Sequence, residues 1–247
     1  MTSTKQFALC MVLLLLAGPL RAGEPAGNPA SPQNPIPAKA EETGPSKQEA
    51  PPVDQILSEM DQAYRDLRSY RAEFVQESEL KTFDRKTLAT GNVYFLKPSK
   101  MRWSYVQPEP RDVYLSGEQI EIYLPDRNQV ILQTLNDAVP GLASARLFMG
   151  VQELVHSFSV SVDCAATDNK SAYCLRLTPK KDRPMSVEEI LLWVGKKDFL
   201  PLRTESRDVL GNLTKLSFRN AEVNVSLPED LFRLEIPPNA EVIRNSF

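Results

Sequence analysis

The sequence predicts a mainly β domain with α elements, an α+β fold in which antiparallel strands follow one opening helix. Three observations carry this expectation. Only one long stretch, from Val53, has apolar residues at helical spacing; most of the chain after it alternates apolar and polar residues; and short Gly, Pro and Asn turns separate the alternating runs.

The helix comes first. Val53, Ile56, Leu57, Met60, Tyr64 and Leu67 fall on one face, Asp54 is placed to cap the first turn, and the pattern runs out near Ser69. Strands are then expected over Arg71 to Leu80, Leu88 to Leu96, Met101 to Val106, Asp112 to Leu115, Gln119 to Leu124 and Gln129 to Gln133. The tight Ser116-Gly117 turn joins two of them, so sequence neighbours pair antiparallel. In Met101 to Val106, Met101, Trp103 and Tyr105 share one face, and Arg102, Ser104 and Val106 share the other. That stretch needs a cover over its apolar side.

The alternation breaks between Asn136 and Ser157, where helix formers sit between Gly and Pro and one or two short helices are expected. Ser157 to Cys164 and Tyr173 to Leu177 form a hairpin whose cysteines, Cys164 and Cys174, are spaced for a structural disulfide rather than a redox centre. Further strands are expected over Val187 to Val194, Leu200 to Ser206 and Leu213 to Phe218, with a last one around Phe232 to Ile236 that ends at Pro237-Pro238. The domain from 53 to 247 has a length usual for barrels and sandwiches.

Two segments precede it. Residues 1 to 22 read as a secretory signal peptide: Lys5, the apolar run Phe7 to Ala17, then Gly18-Pro19 and Ala22. If uncleaved, the run would act as a membrane anchor. Cys10 does not fit a lipobox, because Leu9 precedes it and the apolar run follows it. Residues 23 to 52 are rich in Pro and Ala, with Ile36 as the one large aliphatic, and are expected to be a disordered linker. Without residues 1 to 22 the chain has 27 basic and 32 acidic residues, a net charge of −5 that does not suit nucleic acid.

Catalytic chemistry finds little footing. The one histidine, His156, sits in an apolar context that suggests a half-buried structural residue. No HExxH, CxxC or glycine-rich phosphate loop is present, and Glu188-Glu189 point to opposite faces of a strand. No enzyme activity, metal or cofactor is expected.

From Val53 onward the chain resembles the LolA family of periplasmic outer-membrane lipoprotein carriers. The resemblance rests on the opening helix leading into Ser69 to Gln76 with its Phe74-x-Gln76, on Gly91 to Pro98, on Met101-Arg102-Trp103 with Pro108, on Leu115 to Tyr123, on Leu147 to Gly150, on Asp208 with Gly211, and on Phe232 to Pro238. It departs from the family at Ser116, at Ile122, in the Cys164/Cys174 pair and in the long linker.

The resemblance implies an incomplete antiparallel β-barrel whose apolar face is closed by a helical lid. It implies a carrier of acylated lipoproteins that takes cargo from an inner-membrane ABC-type complex to an outer-membrane acceptor, working as a monomer. On this reading Lys97 lies at the cavity rim, and Phe74, Tyr94, Leu96, Trp103, Tyr105, Ile120, Ile122, Leu147, Phe148 and Met149 are candidates for the cavity or lid. Two alternatives share the fold: an envelope-stress sensor that binds a lipid or a regulatory protein, and a membrane-tethered carrier of another lipid or glycolipid. Such sensors carry a second domain after the half-barrel, so a chain ending at Phe247 favours the carrier.

Overall fold

The protein is described here by a computed structural model covering residues 51–134, 150–162, 171–181 and 185–245. The segments expected to be a signal peptide (1 to 22) and, but for its last two residues, a linker (23 to 52), together with Cys164, Leu147, Phe148 and Met149, lie outside the described residues.

Helix α1 (Val53–Asp66) buries Ile56, Met60 and Tyr64, one residue per turn along a single stripe. Its N-cap is Pro52 and no side chain caps it. Asp54 therefore lies inside the first turn, where its charge complements the helix dipole; the sequence expectation of an Asp54 cap is corrected. The helix ends at Asp66, and Ser69 already opens the sheet.

Strands β1 (Ser69–Leu80), β2 (Arg85–Leu96), β3 (Lys100–Gln107), β4 (Arg111–Ser116), β5 (Gln119–Leu124) and β6 (Gln129–Thr134) come next. Helix α2 (Val151–Ser157) then leads into β7 (Phe158–Val162), β8 (Ala172–Pro179), β9 (Val187–Gly195), β10 (Pro201–Asp208), β11 (Leu213–Val223) and β12 (Glu241–Asn245). Together they make one sheet in the order β12-β6-β5-β4-β3-β2-β1-β11-β10-β9-β8-β7. It is open, with β12 and β7 at its edges, the arrangement of an incomplete barrel.

Every pairing is antiparallel except that of β12 with β6, which is parallel. A parallel edge needs a crossover. Residues 224 to 240 provide it across the outer face, where Arg102 donates to the Leu231 carbonyl at 3.3 Å and Lys100 pairs with Glu229 at 2.7 Å. The strand expected around Phe232 to Ile236 is thus corrected: Phe232 closes a 3₁₀ turn (Glu229–Phe232), and the last strand comes after the two prolines. Pro237 and Pro238 lack the N–H a strand needs, while Val242 and Ile243 can pair with Val130 and Ile131.

One face of the sheet holds most of the core. On it, Leu67, Tyr70, Phe74, Val93, Phe95, Met101, Trp103, Val113, Leu115, Ile120, Ile122, Leu216 and Phe218 form one cluster. A second cluster on the same face joins Leu175, Leu177, Ile190, Leu192 and Val194 of β8 and β9 to Ile56, Met60 and Tyr64 of α1 and to Val151 and Leu154 of α2. The shared face follows from register, since Leu192 opposes Thr204, Thr204 opposes Leu216 and Leu216 opposes Gln76. The outer face carries a small cluster of Ala172, Cys174 and Trp193, with the Arg203 guanidinium 4.7 Å from the Trp193 ring centroid.

Gly91 marks the tightest point of the inner face. A Cβ there would lie 2.1 Å from the Ser104 carbonyl oxygen and 2.8 Å from the Phe74 ring. The missing side chain lets Phe74 lie across β2 from its own strand and reach β3.

Candidate functional site

The aromatic centre of the inner face is built by register. Phe74 opposes Gly91, and Gly91 opposes Tyr105, so three strands bring Phe74, Tyr105 and the neighbouring Trp103 together over the glycine. Phe74 meets Trp103 at a centroid distance of 5.1 Å and Tyr105 at 4.9 Å, both edge to face. Phe218 extends the group, 6.1 Å from Trp103 and 6.5 Å from Tyr70. The Trp103 indole N–H donates to the Met101 sulfur at 3.0 Å, which keeps its polar atom occupied inside an apolar wall.

The face is graded along the strands. Tyr70, Phe95, Met101, Leu115 and Ile120 occupy the end near the β2–β3 turn. Toward the other end Tyr105 donates to Gln76 Oε1 at 2.9 Å, and the Arg111 guanidinium stacks 3.8 Å from the Tyr105 ring centroid. Arg111 Nε and Gln133 Nε2 are buried without a hydrogen-bond partner among the described residues. Each is a donor left available at the edge of an apolar surface.

Lys97, in the turn between β2 and β3, reaches over to α1. Its ammonium donates to the carbonyl of Tyr64 at 3.1 Å and to that of Arg65 at 2.8 Å, while its own amide N–H donates to the Arg68 carbonyl at 2.9 Å. The last carbonyls of a helix have no intrahelical partner and carry the negative end of its dipole, so a cation is well suited there. Lys97 fastens the end of α1 to the rim of the sheet.

Just inside that latch, burial pushes the phenol pKa values of Tyr64 and Tyr70 above the ordinary value of 10.0; Tyr70 adds to the shift of Tyr64, and Asp198 to that of Tyr70.

Of the residues singled out from sequence, Phe74, Trp103, Tyr105, Ile120 and Ile122 stand together on the inner face. Tyr94 and Leu96 do not, which corrects their placement: they are half-buried on the outer face, where Tyr94 opposes Arg102. Val93 and Phe95 take their place inside. Both alternations of Val93-Tyr94-Phe95-Leu96 are apolar, so side-chain period alone does not choose between them; the glycine opposite Phe74 does. Tyr70, Leu115, Phe218 and Arg111 join the face without a sequence signal that singles them out. His156 is exposed on α2, not half-buried. Among the described residues no group of three or more His, Cys, Asp or Glu is arranged to hold a metal, and no helix is long and apolar enough to cross a membrane.

A different opening lies on the outer face under the crossover. This cleft, of about 470 Å³, is lined by Lys100, Tyr114, Glu121, Glu229, Phe232 and Arg233, among others. The Lys100 ammonium across it holds the Glu229 carboxyl below the usual range, by hydrogen bond and by charge. A mixed-charge cleft of this kind does not extend the apolar inner surface.

An open antiparallel sheet with an apolar inner wall and a helix latched across part of it defines a half-barrel binding protein. Residues 65–235 match the family described as outer membrane lipoprotein carrier protein LolA, and the chain belongs to that family. Its relatives include the outer-membrane lipoprotein carrier protein of Cupriavidus pinatubonensis, 30% identical over 156 residues, which span 63% of this chain and 70% of the relative. The carrier protein of Methylococcus capsulatus is 26% identical over 200 residues, 81% of this chain and 91% of the relative. An uncharacterized conserved protein from Thermus thermophilus shares the fold, with a TM-score of 0.52 and 15% identity over 78% of this chain and 99% of that one. The family is one of carriers, not of enzymes.

Proposed function

We propose that the protein is a periplasmic carrier that shields the acyl chains of lipoproteins on its inner face and shuttles them from the inner to the outer membrane. The observation that carries this reading is the apolar inner wall around Phe74, Trp103 and Phe218 with α1 fastened to its rim by Lys97. Family membership supports it, since the relatives are named as outer-membrane lipoprotein carriers.

The physical problem is the cost of acyl chains in water. At about 0.8 kcal/mol per methylene, a chain of roughly fifteen carbons costs on the order of 10 kcal/mol to solvate. An apolar wall removes much of that cost, but cargo held at full strength would not leave. A lid that packs on the wall when the carrier is empty weakens the grip, because cargo must displace α1 from contacts it already makes. Ile56, Met60 and Tyr64 are those contacts, and Lys97 sets how readily the helix end lifts. In this reading Leu147, Phe148 and Met149 complete the lid, and the carrier works as a monomer between an inner-membrane ABC-type complex and an outer-membrane acceptor. Residues 1 to 22 direct export, 23 to 52 are a spacer, and Cys164 pairs with Cys174 in the oxidising periplasm.

The test is photo-crosslinking in cells from a photoreactive residue at Trp103. Recovery of acylated lipoproteins supports the carrier. Labelling of a regulatory protein alone, or of a glycolipid without lipoprotein, replaces it with the sensor or with a carrier of another lipid.

A further inference from the structure

The end of the sheet opposite the Lys97 latch carries two hairpin tips with unusual exposure. Phe83, in the β1–β2 turn, is 68% exposed; Val209 and Leu210, in the β10–β11 turn, are 65% and 68% exposed. Large apolar side chains this open are costly to leave in water unless something covers them.

The tips are neighbours and are held rigidly. The Lys81 amide donates to Asn212 Oδ1 at 3.0 Å, tying one hairpin to the other. Asp208 Oδ1 accepts from the amides of Leu210 at 2.9 Å and Asn212 at 2.8 Å, and its Oδ2 accepts from Asn212 Nδ2 at 2.8 Å. Gly211, at φ +79°, closes the loop, and Val209 N–H donates to the Ser186 carbonyl at 3.1 Å. These bonds occupy the amide N–H groups of residues 209 to 212 and leave the Val209 and Leu210 side chains exposed.

The surrounding charge names the occupant. Taken level across each hairpin, residues 79 to 86 and 205 to 215 contain Lys81, Arg85, Lys86, Arg207 and Lys215 against Glu79, Asp84, Glu205 and Asp208, a net +1 on a chain whose formal charge is −3, with Lys86 paired to Glu79 at 3.7 Å. Lys180 and Lys181 add to it at the same end of the sheet, past β8. The hairpins beyond, with Arg111 and Arg127 against Glu109 and Asp126, are balanced.

We propose that these two tips dock the protein on an anionic lipid bilayer, with Phe83, Val209 and Leu210 entering the interface and the basic residues facing lipid phosphates. Exposed apolar tips ringed by cations match the composition of interfacial anchors, and the cations explain a preference for negative lipid. The docking does not depend on which cargo the inner face holds. It places the body of the sheet upright on the membrane, latch end outward.

The test reads insertion at the tip itself, because the apolar run Phe7 to Ala17 of the full chain can bind vesicles independently. In the full chain, Phe83→Trp introduces an indole into a background where Trp103 and Trp193 are only 5% and 6% exposed. On vesicles of brominated phosphatidylglycerol with phosphatidylethanolamine, its emission is expected to shift blue and be quenched beyond the wild-type baseline. Both effects should be absent on phosphatidylcholine and should fade as salt is raised. Val209→Ser with Leu210→Ser is expected to lower that quenching about tenfold at limiting lipid with the melting temperature unchanged, and Lys81→Glu with Lys86→Glu to do so on anionic vesicles only. An unquenched indole on a chain that sediments with vesicles overturns the proposal. So does equal quenching on phosphatidylcholine, or a Val209/Leu210 variant that behaves as wild type. If that variant instead loses a self-association seen by sedimentation while the indole stays unquenched, the patch is a protein interface and the bilayer assignment is wrong.

Discussion

Lys97 and Gly91 show how much single residues decide at the inner face. Lys97 donates to two main-chain carbonyls from an exposed position, one of the bonds being part-buried and the other open to water. Charged hydrogen bonds of this kind are worth about 1.5–3 kcal/mol each when shielded, less when water competes. Lys97→Ala is expected to cost about 1–2 kcal/mol, lowering the melting temperature by about 2–8 °C and raising hydrogen exchange at the end of α1 more than in the sheet. Lys97→Arg, which keeps a donor there, should recover most of both. An unchanged exchange rate in α1 would mean the latch contributes nothing.

Gly91→Ala fails for a different reason. A methyl 2.1 Å from the Ser104 carbonyl forces β2 and β3 apart or displaces Phe74. A loss of about 1–3 kcal/mol or more is expected, together with a changed near-ultraviolet circular dichroism from the Phe74, Trp103 and Tyr105 group. The lysine is legible in sequence through the family resemblance, which places a basic residue before this turn proline at the rim. Arg111 is not, because an arginine at the start of a strand reads as solvent-facing until register places it against Tyr105.

At the level of elements, α1 is the part that sequence and structure agree on most closely, and its packing predicts its behaviour. Ile56 and Met60 are each 1% exposed and pack against the wall made by β8 and β9. Met60→Ala removes a buried side chain at about 2–5 kcal/mol, a cost that falls mainly on the docking of one helix. The sheet is therefore expected to persist while a hydrophobic dye binds more strongly, and a far-ultraviolet β spectrum lost in parallel with the dye signal would show that α1 is not separable.

Strands with one polar side are legible from alternation alone, as in Met101 to Val106. Where both sides are apolar, as in Val93 to Leu96, alternation is silent. The inner side is set by cross-strand partners many residues away. The C-terminal segment fails for a third reason. Phe232, Leu234 and Ile236 alternate like a strand, yet a chain that must return to pair parallel with β6 needs a crossover, and these residues lie in it. Topology of that kind leaves no local trace.

Across the whole molecule, the two clusters meet the opening helix where Tyr64 and Tyr70 lie, and this gives the fold a defined alkaline limit. Burial raises both phenol pKa values above 10.0, the ordinary value an unfolded chain would show. Between about pH 7 and 9 folded and unfolded states both hold these protons, so the tyrosines add no pH dependence. As the pH passes about 10 the unfolded chain releases protons that the folded one retains. The unfolded state then binds fewer protons, and stability falls with rising pH, by up to about 1.4 kcal/mol per pH unit for each tyrosine. The stabilising contribution is thus fully present below the unfolded pKa and disappears above it. Denaturant midpoints measured across this range should be level and then drop. Phenolate absorbance should show tyrosines that ionise only as the protein unfolds. Tyr64→Phe and Tyr70→Phe together should flatten the drop, because a phenyl ring keeps the packing and has no proton to lose. A drop that is unchanged in the double variant would place the alkaline limit in other groups, and free ionisation of all tyrosines in the folded protein would mean that the region between helix and wall is open to water.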